Sequence, residues 1–227
     1  MKNEEFATTI NKAFKVIPLS RHTSWRQQIL HSIVLIFSFF ILHSSFFIFT
    51  SCNGESEYNN QPCYILYHNA YYLDQTLAEA MNPYARGIFC LISESQEGSN
   101  IYLNFQNSNG GSSRQRETAL ETKAHFVLGM NNGIIVGFQS LNDSPNGGFT
   151  AYDQQCPNCV RKHNSAYNPK YRLTMGSDGI ATCTVCGKRY NMNFRGVILN
   201  PEEGDIDLKP YIATTTGPYG DLFVHNQ

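Results

Sequence analysis

The sequence predicts a mainly β domain with a small zinc-ribbon-like metal-binding lobe, placed after an apolar N-terminal segment. Three observations predict this. Two CxxC pairs, Cys156-Pro157-Asn158-Cys159 and Cys183-Thr184-Val185-Cys186, stand 23 residues apart. Short apolar runs alternate with Gly/Asn/Ser turns, and 13 Tyr, 15 Phe and 17 Gly favour strands and tight turns over helical bundles. Before them, Ile29 to Thr50 forms a 22-residue run with no charge beyond two His.

That run is long enough to span a bilayer and is apolar all round, unlike a core helix with one buried face. Lys2, Lys12, Lys15, Arg21 and Arg26 precede it, and no Lys or Arg follows until Arg86. The positive-inside rule then leaves the N-terminus in the cytoplasm and the rest of the chain outside. Phe49-Thr50-Ser51-Cys52 follows the run and resembles a bacterial lipoprotein signal, which implies cleavage and lipid attachment at Cys52. An uncleaved anchor is the alternative, and both tether an extracytoplasmic domain, periplasmic or at the cell surface. Residues 1–51 therefore read as signal peptide or membrane anchor, 52–60 as a polar linker and 61–227 as the β domain.

Along the domain, Tyr64 to Tyr67 is a short strand candidate. Asp74 to Met81 reads as a helix with an Asp74 cap that stops at Asn82-Pro83. Strands are expected at Gly87–Ser93, Ile101–Phe105, His125–Met130, Ile134–Phe138 and Phe149–Tyr152. The polar stretch between Phe105 and Ala124 reads as an exposed loop, and Ser144 to Gly148 as a turn. Arg172–Met175 and Ile180–Thr182 flank Gly176-Ser177-Asp178-Gly179 as a hairpin, and Tyr211–Thr214 with Leu222–Val224 makes another.

Each CxxC thus falls at a strand end or loop tip, with a hairpin between them. Two such turns facing each other bring four thiolates together, the donor set of Zn²⁺ or of an iron–sulfur centre. The lobe should cover about 153–201. With Cys52 and these four assigned, Cys63 and Cys90 remain of the seven cysteines. An oxidising compartment permits a disulfide between them, and two buried free thiols are the alternative.

Composition narrows the function. A net charge of −1 with 15% charged residues gives no footprint for nucleic acid. The chain has no G-x-S-x-G, no H-E-x-x-H and no phosphate-binding glycine loop, so a catalyst is not indicated. No βαβ unit precedes either CxxC, which argues against a thioredoxin-type redox motif.

From Ile134 to the C-terminus the chain resembles the Rieske-domain family. The family's second box, C-x-x-H-G-S-x-F/Y, is similar to Cys183-Thr184-Val185-Cys186-Gly187-Lys188-Arg189-Tyr190. Gly196 to Pro201, Leu208 to Tyr211 and the Leu222–Val224 strand follow in the family's order, and Phe149 to Asp153 is similar to its strand entering the first cluster loop. The resemblance implies a Rieske-like antiparallel β sandwich, a [2Fe–2S] cluster, electron transfer and a redox protein partner. The ligands depart from it. Cys186 falls where the second His stands, Asn158 where the first stands, and Val185 and Arg161 hold the places of the family's disulfide cysteines. A Rieske site is Cys₂His₂, whereas this chain offers Cys156, Cys159, Cys183 and Cys186. All-thiolate ligation lowers a [2Fe–2S] potential, and it also suits redox-silent zinc. Three readings follow: structural zinc in a binding or scaffold module, a [2Fe–2S] electron carrier, and a metal-free module with the CxxC pairs as disulfides.

Overall fold

The structure is a computed structural model that describes residues 59–141 and 148–226. The apolar run, Cys52 and most of the Ser144–Gly148 turn lie outside the described residues. Among those described, no helix is long and apolar enough to cross a membrane.

The base is one eight-stranded antiparallel sheet. Its strands are β1 (Tyr64–His68), β2 (Phe89–Glu97), β3 (Asn100–Asn107), β4 (Ser112–Arg116), β5 (Gly133–Phe138), β6 (Phe149–Asp153), β11 (Pro210–Thr215) and β12 (Asp221–His225). The order across the sheet is β1-β12-β11-β6-β5-β2-β3-β4. The sheet curls until its ends face each other: the Tyr67 ring on β1 lies 5.3 Å from Phe105 on β3, and Tyr64 bridges to Val127. A two-sheet sandwich was expected; here one continuous sheet supplies both facing layers, because accumulated strand twist closes a sheet of this width.

Alternation along the strands divides the core. Ile134, Val136 and Phe138 of β5 face the inside of the curl with Cys90, Ile92, Phe149 and Ala151, while Ile135, Phe89 and Tyr152 point to the opposite face. Every residue of β5 is buried, as a strand covered on both sides must be. Helix α1 (Asn69–Tyr72) follows β1, and α2 (Gln75–Ala80) closes the curl with Leu77, Ala80 and Met81. Asp74 caps α2 as expected, accepting from Leu77 N at 3.0 Å.

Two expectations fail locally. His125–Met130 is not a strand, because left-handed backbone at His125 (φ 51) and Asn132 (φ 54) bounds the segment and leaves only the Val127 bridge. The polar stretch after Phe105 is not all loop. Ser112–Arg116 forms edge strand β4 against β3, and α3 (Ala119–Ala124) starts at a Thr118/Glu121 capping box. Cys63 and Cys90 are both free and buried; burial pushes the Cys63 thiol up to about 12. They sit on either side of four intervening strands in sheet order and make no disulfide.

The opposite face of the base carries the lobe, inserted between β6 and β11. It contains α4 (Pro157–His163) and a four-stranded antiparallel ribbon, β7 (Leu173–Met175), β8 (Ile180–Cys183), β9 (Arg189–Asn191) and β10 (Val197–Ile198), in the order β10-β9-β8-β7. Backbone bonds Cys156 N to Tyr171 O (2.8 Å) and Leu173 N to Gln154 O (2.7 Å) fasten the ribbon to the end of β6. Its packing extends to Leu208, whose Cβ lies only 2.6 Å from where a Cβ at Gly196 (φ +70) would stand. Only glycine allows that approach.

Candidate metal centre

The exit of β6 is fixed first. The buried Asp153 carboxylate accepts from Met130 N and Gln155 N, each at 2.7 Å, and from Tyr211 Oη at 2.8 Å. Burial works to raise its carboxyl, and these three donors oppose that. The chain then turns into α4, with Cys156 as N-cap, Pro157 at the first helical position and Cys159 in the first turn. A strand end or loop tip was expected for this pair. A short helix forms instead, with Arg161, Lys162 and His163 in its last turn.

The second pair lies on the β8–β9 turn. Cys183 ends β8, its N–H donates to Lys188 O and its carbonyl accepts from Gly187 N, both at 2.9 Å. Gly187 has φ +71, which lets the chain double back directly after Cys186.

These two elements bring all four sulfurs together. The Sγ atoms of Cys156, Cys159, Cys183 and Cys186 lie within 4.8 Å of one another. Cys156–Cys186 and Cys159–Cys183 are each 3.6 Å apart, too far for a disulfide and close to the edge of about 3.8 Å that a tetrahedron with 2.3 Å Zn–S bonds requires. All four of these cysteines are free, so the disulfide reading of the CxxC pairs is not what the structure contains. Cys156, Cys159 and Cys183 are buried, and Cys186 is the most accessible.

Burial pushes the Cys156 thiol up to about 12 and raises Cys159 as well. Burial acts on Cys183 in the same sense, but the N–H groups of Cys186 and Val185 outweigh it and leave that thiol below its ordinary value. Deprotonating all four sulfurs in this setting needs a cation among them, and the donor set fits one.

Around the sulfurs the sequence signal was weaker. Tyr190 on β9 is fully buried, with its hydroxyl 3.3 Å from Cys156 Sγ. Asn158 is not a ligand; it donates to Tyr190 Oη at 2.8 Å. Lys188 stands on the same β8–β9 turn as the second cysteine pair. It is buried, with Nζ 2.6 Å from Asp205 and 3.1 Å from Glu202, so these two acids pair rather than face solvent alone. His163 stacks on Tyr171 at 5.4 Å and is not part of the sulfur cluster. A cleft of about 590 Å³ opens beside Cys159 and Cys186, rimmed by Lys162, His163, Val185 and Glu202.

No family model, curated protein or solved structure matches this chain.

Proposed function

We propose that this chain is a membrane-tethered, extracytoplasmic protein in which Cys156, Cys159, Cys183 and Cys186 hold one Zn²⁺ that staples the ribbon lobe of a binding or scaffold module. The observation that carries the reading is the mutual approach of all four sulfurs to within 4.8 Å. One ion collects four thiolates on a single tetrahedron, whereas a [2Fe–2S] centre spreads them over two irons and holds the two pairs farther apart. A closed Cys₄ site has no open coordination position, so the ion contributes structure rather than catalysis. The tether rests on the sequence alone, through the run from Ile29 to Thr50 and the cysteine at 52.

The [2Fe–2S] electron carrier is the second reading. The order of elements favours it: β6 leads into the first cysteine pair, and two strands follow the lobe as the Rieske resemblance implies. Metal analysis and visible absorbance of the full-length chain, purified without oxygen, separate the two. One zinc per chain in a colourless solution supports the proposal. Two irons with sulfide and a red-brown colour replace it with a low-potential electron carrier. The tether has its own test: Cys52→Ala abolishes lipid labelling if the cysteine is acylated, and a labelled band that persists rules that out.

A further inference from the structure

We infer that Tyr190 and Asn158 are a positioning pair that donates a hydrogen bond to the Cys156 sulfur, fixing one corner of the centre and leaving Cys186 as the corner through which it opens. The inference rests on the single-ion reading of the four cysteines.

Asn158 Oδ1 accepts from Ile206 N at 3.0 Å, and Asn158 Nδ2 donates to Ile206 O at 2.9 Å. A backbone N–H can only donate and a carbonyl can only accept, so these two bonds fix which way the amide points. The second Nδ2 proton goes to Tyr190 Oη at 2.8 Å. A Cys156 sulfur held on an ion carries no proton and can only accept, so the phenol's own proton goes to Cys156 Sγ, 3.3 Å away. Asn158 is buried, and Tyr190 and Cys156 are wholly so. The bond takes up part of the thiolate's charge. Loop residue Ile206 is tied into the same unit, which joins the segment after β10 to the cysteine pair on α4.

Cys186 is the opposite case. It is the most accessible of the four, and it lines the cleft with Cys159, Lys162 and Val185, while Cys156 does not. An incoming soft ligand or alkylating reagent meets Cys186 first.

Iodoacetamide labelling of the zinc-loaded full-length chain at low conversion, followed by peptide mapping, tests the order. Cys186 should be modified first and Cys156 last. Tyr190→Phe keeps the ring and removes the donor; zinc should bind about 10- to 100-fold more weakly, and in the cobalt-loaded form the sulfur-to-metal absorption band should shift. Asn158→Asp gives the same shift by another route, since a carboxylate turns the Tyr190 proton away from the sulfur, and it serves if Tyr190→Phe does not fold. Cys156 labelled as early as Cys186, or an unchanged cobalt band and affinity in both variants, overturns the inference while the single-ion reading stands. A wild-type chain that binds no ion overturns that reading and the inference with it.

Discussion

The curled sheet and the ribbon lobe solve the same problem with different means. The sheet packs 20 buried residues into one cluster, almost all aliphatic or aromatic, on strands of five to nine residues. The ribbon has strands of two to four residues. Its cluster has 13 members, of which Phe89, Ile135 and Tyr152 belong to the base and three others are cysteines. Burial at about 25 cal/mol per Å² can hold the first, and a region as small as the second needs a staple. The difference teaches where the centre's energy goes: into the lobe, and from there into the loops that the lobe presents.

The largest effect that would break this comparison is loss of one ligand. Cys183→Ser should unfold 154–208 while β1, β5 and β12 keep their hydrogen-exchange protection, because structural zinc contributes about 10 kcal/mol or more to the folding of small domains. Equal loss in both regions would mean that the sheet also depends on the ion. A core truncation sharpens the contrast from the other side. Ile134→Ala on β5 should cost the sheet about 2–5 kcal/mol in denaturant unfolding and leave the metal stoichiometry unchanged.

The pH response should separate the regions as well. Metal binding must displace the thiol protons, so zinc affinity should fall about tenfold per pH unit for each proton displaced, and acid should release the ion before it unfolds the sheet. Burial raises the Cys156 thiol from 9.0 to about 12, so the ion has a proton to displace there across the whole neutral range. Zinc content and circular dichroism followed together down the acid range check that order.

The smallest effect belongs to Lys188. It holds the Asp205 carboxyl below its ordinary 3.8, so the pair's contribution is present above that pH and fades as pH falls through the lowered value. Lys188→Met should remove this acid dependence and raise hydrogen exchange around Glu202–Asp205, with zinc still bound.

Much of this was legible in the sequence where the signal is local. Four cysteines at metal spacing, the Asp74 cap, the apolar β5 run and the hairpin around Gly176–Gly179 each carry their own short-range pattern, and each forms. Strand β4 was missed because Ser112-Ser113-Arg114-Gln115-Arg116 has no apolar face; pairing with β3 at the sheet edge holds it. Helix α4 was missed although Pro157 and the basic run Arg161–His163 mark its two ends. The role of Tyr190 had no sequence signal, since the sulfur it meets is 34 residues away and only the folded ribbon brings them together. The curl of the sheet was equally hidden, because it arises from twist summed over eight strands rather than from any one of them.

The central claim is that one ion on four sulfurs holds the ribbon while the sheet holds itself. Hydrogen exchange mapped along the full-length chain, before and after metal is removed with a chelator under reducing conditions, tests it most directly. The account predicts that protection collapses across 154–208 and persists in β1, β2, β5, β6 and β12. An unchanged pattern across 154–208 after metal removal would contradict it.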